Sequence, residues 1–67
     1  MRYNHVCNKL PSGGQNLICW YEEEGQRKGK TVFVPGKLKR HEREGLFLSM
    51  EIELDRMRAE EAGLIVP

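Results

Sequence analysis

The chain has little of what membrane and exported proteins need. No stretch approaches the ~18 consecutive apolar residues of a membrane span, and the start, Met-Arg-Tyr-Asn-His-Val-Cys, has no apolar core of a signal peptide. Cysteine is scarce as well, because Cys7 and Cys19 are too few for the disulfide framework of a small secreted domain. These absences predict a cytoplasmic protein that makes no membrane contact, in which both cysteines are free thiols or form one disulfide.

Catalytic motifs are also missing. The sequence contains no Gly-x-Ser-x-Gly elbow, no Gly-rich phosphate loop ahead of a helix and no His-Glu-x-x-His, and turn formation accounts for Ser12-Gly13-Gly14. A chain of 67 residues makes one small domain, which rarely encloses a substrate pocket of several hundred Å³. We therefore predict a non-enzymatic protein with no catalytic residue, no cofactor and no small-molecule substrate.

The first half of the chain predicts three β-strands, over about residues 2–10, 16–24 and 30–34. The turn formers of 11–15 separate the first two strands, and a second breaker loop, 25–29, precedes the third. Strands joined by such short loops form an antiparallel meander.

The second half predicts a basic loop over 35–45 and a helix over about 46–62. Good helix formers dominate the segment, Gly63 is a natural helix stop, and Gly45 would be the joint between loop and helix. Five apolar residues share one helical stripe: Leu46, Phe47, Met50, Leu54 and Met57. Residues 46–54 also alternate with period two, as a strand would, but only one β-branched residue occurs there, which favours the helix.

The predicted fold class is a small α+β domain, a three-stranded antiparallel meander followed by one C-terminal helix. This order resembles the arm-type DNA-binding domains at the N-termini of phage tyrosine integrases, which are three-stranded sheets with a C-terminal helix. The hairpin of residues 19–30 looks loosely like theirs, with Arg27, Lys28 and Lys30 on its second strand. The resemblance covers topology and a basic hairpin and includes no specific motif.

Charge is segregated along the chain although the net charge is only +1. Residues 25–43 carry Glu42 as their only acid, whereas acidic residues dominate 44–67. The basic members of the middle block are Arg27, Lys28, Lys30, Lys37, Lys39, Arg40 and Arg43. We predict that this hairpin-and-loop edge docks a small regulator on a nucleic acid or a nucleoprotein machine.

Two observations weigh against that interpretation. The pI of about 7.8 is low for a nucleic-acid-binding domain, so the basic block could instead pair with the protein's own acidic helix. Trp20, Tyr21 and Phe33 lie within apolar runs, which predicts core positions rather than a platform for stacked bases.

The alternative function is a protein–protein inhibitor or adaptor, of the kind that mobile elements encode. The helix has a second apolar strip, Leu48, Ile52 and Ala59, besides its acidic face, and a domain this small has little left to cover it. The sheet is expected to be apolar on both faces. One face would hold Leu17, Cys19, Tyr21 and Phe33, and the other Ile18, Trp20, Val32 and Val34. These faces predict a protein partner or a homodimer.

A cysteine–histidine cluster is a further hypothesis. If the first two strands pair across the loop 11–15, Cys7 lies opposite Cys19 and His5 opposite Tyr21. His5, Cys7 and Cys19 would then converge on one side of the hairpin. His41 would complete a Cys₂His₂ set, but the spacing is not that of a zinc finger. We expect no bound metal.

Overall fold

The computed structural model describes residues 2–61 as three strands followed by one helix. The strands are β1 (Asn4–Lys9), β2 (Gln15–Glu23) and β3 (Gln26–Val34), and the helix is α1 (Arg40–Glu61). They form an antiparallel sheet in the order β1-β2-β3. The predicted α+β class, with a three-stranded meander and one C-terminal helix, is confirmed. No helix within the described range is long and apolar enough to cross a membrane.

The core lies where α1 packs on the central strand. Alternate residues of β2 are buried, as expected for a strand with one covered face. The buried apolar cluster consists of Leu17, Cys19, Tyr21, Met50 and Leu54. Leu46 and Phe47 pack against it, so most of the predicted helical stripe faces the sheet, whereas Met57 is exposed.

The helix begins at Arg40, which corrects the predicted loop over 35–45 and the joint at Gly45. The Glu42 carboxylate accepts a hydrogen bond from the backbone N–H of Lys39 at 3.0 Å, which is half of a capping box. The Arg43 N–H donates to the Lys39 carbonyl at 3.0 Å, the first hydrogen bond of the helical series. Glu42 also places a negative charge in the first turn, which offsets the unfavourable basic residues there. The predicted end at 62 and the stop at Gly63 lie outside the described residues.

The hairpin between β2 and β3 is tighter than predicted. Glu23 pairs with Gln26, so only Glu24 and Gly25 form the turn, with φ of 52° and 76°. Two consecutive positive φ values are typical of a type I′ turn, whose twist matches that of the two strands. The predicted breaker loop 25–29 is therefore mostly strand.

The register also corrects the predicted faces of the third strand. Val32 pairs with Leu17 and Val34 with Gln15, which places both valines on the face that α1 covers. Phe33 pairs with Asn16 on the opposite face. The two-residue turn causes this change, because the parity of the loop length decides which residues share a face.

The register between β1 and β2 differs from the prediction by two residues. Cys7 lies opposite Leu17, and His5 lies opposite Cys19. The turn begins earlier than predicted, since the Leu10 N–H donates to the Gly14 carbonyl and the Gly13 N–H to the Leu10 carbonyl, both at 3.1 Å. Because the shift is even, His5, Cys7 and Cys19 still share the helix-covered face.

Candidate functional site

The face of the sheet that points away from α1 is the first candidate surface, and we call it the open face. The register assigns eleven strand positions to it: Asn4, Val6, Asn8, Asn16, Ile18, Trp20, Glu22, Arg27, Gly29, Thr31 and Phe33. Nothing within residues 2–61 packs across it, and Phe33 is 56% exposed there. Glu22 is its only acidic member.

Trp20 lines a depression of about 360 Å³ in the open face, together with Val6, Ile18 and Thr31. The Arg27 guanidinium lies above the indole ring, 5.0 Å from its centre, in a cation–π contact. The Trp20 Nε1–H is buried and has no hydrogen-bond partner among the described residues. Tyr21 is core, as predicted, whereas Trp20 is half-buried and Phe33 exposed.

The predicted basic edge divides into separate groups. Lys28 and Lys30 lie on the helix-covered side of the sheet. Lys28 Nζ is 2.7 Å from Glu61 Oε2, and Lys30 Nζ is 2.5 Å from Glu53 Oε1. The hydrogen bond and charge of Glu61 raise the pKa of Lys28, and those of Lys30 lower the pKa of Glu53. These two lysines therefore pair with the protein's own acidic helix, and a third cross-element pair joins Arg58 to Glu23 at 3.2 Å.

The other basic residues gather where β3 ends and α1 begins. We call this group the basic end, and it consists of Lys9, Lys37, Lys39, Arg40 and Arg43. Lys9, Lys37 and Arg43 line one groove of about 490 Å³. The Gln15 amide donates to the Val34 and Gly36 carbonyls at 3.3 and 2.7 Å, which ties the segment before α1 to the sheet.

Few acids compensate the basic end. Arg40 lies 3.2 Å from Glu44, in a highly exposed pair, while Lys9, Lys37, Lys39 and Arg43 make no ion pair within residues 2–61. Arg27 lies at the far end of β3, roughly 25–30 Å away for a nine-residue strand. Lys9 was not predicted as a site residue because it is far in sequence from the basic block.

The cysteine–histidine hypothesis finds no geometric support in the described part of the chain. His5 Nε2 lies 2.8 Å from Glu51 Oε2, and its ring packs against Phe47. Both cysteines are free thiols, and burial raises the pKa of Cys19, with smaller contributions from Glu51 and Asp55. Exposed His41 lies in the first turn of α1. No group of three or more metal-binding side chains occurs between residues 2 and 61.

The outer strip of α1 is the remaining candidate surface. Leu48 is 58% exposed and Ile52 62% exposed, while Ala59 is half-buried. Leu48 and Ile52 are one turn apart, so they present adjacent apolar side chains to solvent.

No protein family, no curated protein and no solved structure was found to match this chain. The resemblance to arm-type domains is therefore one of element order and of a hairpin with a basic second strand, and it assigns no role to any residue.

Proposed function

We propose that the protein is a small, non-enzymatic regulatory domain that binds nucleic acid and contacts the phosphate backbone through its basic end. The observation that supports this most directly is the separation of charge in space. Seven of the ten acidic residues belong to α1, and β1 and β3 contain none. A polyanion approaching the open face and the basic end is kept away from most of the acidic layer.

The number of exposed cations determines the strength of this interaction and its salt dependence. Each phosphate that a Lys or Arg neutralises releases counterions, which gives a slope of about −0.9 in log K against log salt for duplex DNA and about −0.7 for a single strand. Five contacts at the basic end correspond to a slope of about −3.5 to −4.5. Arg27 adds a sixth cation at the other end of the open face.

The first prediction compares two pairs of lysines. Lys37→Gln with Lys39→Gln is expected to reduce the magnitude of the salt slope by about 1.4–1.8, because two phosphate contacts are lost. Lys28→Gln with Lys30→Gln is the matched control, and it should leave the slope unchanged because these lysines already pair with Glu61 and Glu53.

Fluorescence anisotropy of labelled mixed-sequence DNA and RNA, measured between about 50 and 200 mM salt, provides this comparison. Equal effects of the two lysine pairs would show that the basic end is not the contact surface. An absence of binding by the wild-type protein at the low-salt limit would remove nucleic acid as a ligand.

A second candidate function rests on the outer strip of α1. Exposed Leu48 and Ile52 fit a protein partner or a second copy of this chain, in an inhibitor or adaptor role, with the acidic face of α1 beside them. This surface lies on the opposite side of the molecule from the open face, so the two functions are separable by substitution.

The second prediction tests that strip. Leu48→Glu with Ile52→Glu is expected to change the unfolding free energy by less than about 0.5 kcal/mol per site, because both side chains face solvent, and to abolish any self-association. Sedimentation equilibrium and a urea titration measure the two effects. If the double variant lost cooperative unfolding as a monomer, Leu48 and Ile52 would be core residues and the interface would be refuted.

A further inference from the structure

We propose that the depression around Trp20 is the binding site for an unpaired nucleobase, so that the open face binds single-stranded nucleic acid in preference to duplex. This inference rests on the proposed function, since the basic end would hold the phosphates of the same strand. It goes further by naming the form of nucleic acid and the side chain that contacts a base.

The indole of Trp20 has a polar group without a partner in the described part of the chain and lies against open space. Buried polar groups almost always have a hydrogen-bond partner, yet the buried Trp20 Nε1–H has none among residues 2–61. The ring lies in a depression with apolar walls, Val6 and Ile18, on the face that α1 leaves uncovered. A nucleic-acid strand could satisfy both features: a base can stack on the face of the ring, and a sugar or phosphate oxygen of the same strand can lie in the ring plane and accept from the N–H.

Arg27 lies where it can contact a base that stacks on Trp20. Its guanidinium already lies over the ring, as a planar cation does in stacked nucleic-acid sites. Glu22 holds Arg27 at 3.3 Å, but the two side chains are 65% and 59% exposed, so the ion pair is weak and the guanidinium can move at little cost. An entering base would stack on the indole. Arg27 would then turn either to the phosphate of that nucleotide or to the face of the base that points away from the indole.

A site that contacts the face of a base favours an unpaired base over a duplex. Inside a duplex, bases stack on one another and present only their edges in the grooves, so an indole cannot contact a base face. Phe33, exposed on the same face and near the basic end, is four residues along β3 from Gly29, which pairs with Trp20, or about 13 Å. Lys9 lies on the helix-covered side of the sheet, so a strand held by the basic end would cross the end of β3 beside Phe33 before it reaches Trp20.

The test uses the fact that Trp20 is the only tryptophan in the chain, so its fluorescence reports on this site alone. The wild-type protein is titrated with an oligothymidine strand of about 12 nucleotides and with a duplex of the same length at low salt. We expect saturable quenching by the single strand, and binding of the duplex, followed by anisotropy, without quenching. Single-strand binding without quenching, or equal quenching by both forms, would overturn the inference and leave the proposed function intact.

Two variants extend the test. Trp20→Leu is expected to weaken single-strand binding by roughly 5- to 150-fold, which corresponds to the loss of one stacked base, and to leave duplex affinity unchanged. Trp20→Phe keeps an aromatic ring and should recover most of the affinity. An equal loss for both nucleic-acid forms would contradict the stacking role. Failure of the wild-type protein to bind either form would remove the proposed function and this inference together. The wild-type titration needs no variant, so it decides the question even if Trp20→Leu does not fold.

Discussion

Leu17→Ala is expected to lower the free energy of unfolding by about 2–5 kcal/mol. Leu17 lies in the middle of β2, is fully buried, and belongs to the cluster in which α1 places Met50 and Leu54. A 67-residue domain has a total stability of only about 3–10 kcal/mol on the usual per-residue scale. The substitution therefore removes a large fraction of the stability. A urea titration followed by circular dichroism measures the loss.

The control for Leu17 is its neighbour on the same strand. Ile18 points to the open face and is only half-buried, so Ile18→Ala should cost much less, about 1 kcal/mol. Both substitutions shorten an aliphatic side chain in the central strand, and they differ mainly in the face that they affect. Equal losses would show that the open face is covered in solution, by the chain itself or by a second copy.

Gly29→Ala is expected to destabilise the protein by about 1–3 kcal/mol, although alanine is normally the better residue within a strand. A Cβ atom at position 29 would lie 2.7 Å from the Cys19 carbonyl oxygen and 2.7 Å from the Trp20 Cβ. The carbonyl belongs to the backbone of the central strand and cannot move aside without shifting the ladder between β2 and β3. Only glycine allows the two strands to approach this closely.

Gly45→Ala is the matched control, since it makes the same chemical change elsewhere in the chain. A Cβ at Gly45 would meet nothing within 4 Å, and the residue lies inside α1. Alanine there should stabilise the protein by about 0.5–1 kcal/mol through helix propensity. The two variants are thus expected to shift the urea midpoint in opposite directions. A shift in the same direction would contradict either the close approach at Gly29 or the continuous helix through Gly45.

Local patterns were sufficient to predict the elements and their order. Turn-forming clusters separate strands rich in apolar and β-branched residues. At 100° per residue Met50 and Leu54 fall on one side of the helix, which predicts the buried side of α1. The start of α1 at Arg40 is harder to predict from the sequence, because basic residues at a helix N-terminus interact unfavourably with the helix dipole and favour a loop there. The capping contact of Glu42 with the Lys39 N–H outweighs that cost, and it depends on only a few atoms.

The sequence predicts most of the basic residues that belong to the candidate site, but it does not predict which of them lie on the same surface. The sequence identifies the basic side chains. It does not distinguish Lys28 and Lys30, which pair with Glu61 and Glu53, from Lys37 and Lys39, which make no ion pair within residues 2–61. An apolar run in a strand does not show which of its residues lie on the covered face of the sheet. For this reason the sequence predicts core positions for Trp20 and Phe33, although both lie on the open face. The sequence does not predict Lys9 as a site residue. Its position beside Lys37 depends on the pairing of Lys9 with Gln15, which joins the end of β1 to the start of β2.

The sequence by itself therefore determined the α+β class, the meander, the helical stripe and the inventory of charged groups, all of which follow from short-range periodicity and propensity. The tertiary structure decided which face of β3 carries Phe33, which cations are neutralised, and where Trp20 is left accessible. The physical reason is register. The length of one turn fixes the pairing of two strands, and a change of a single residue there moves every side chain of the next strand to the other face.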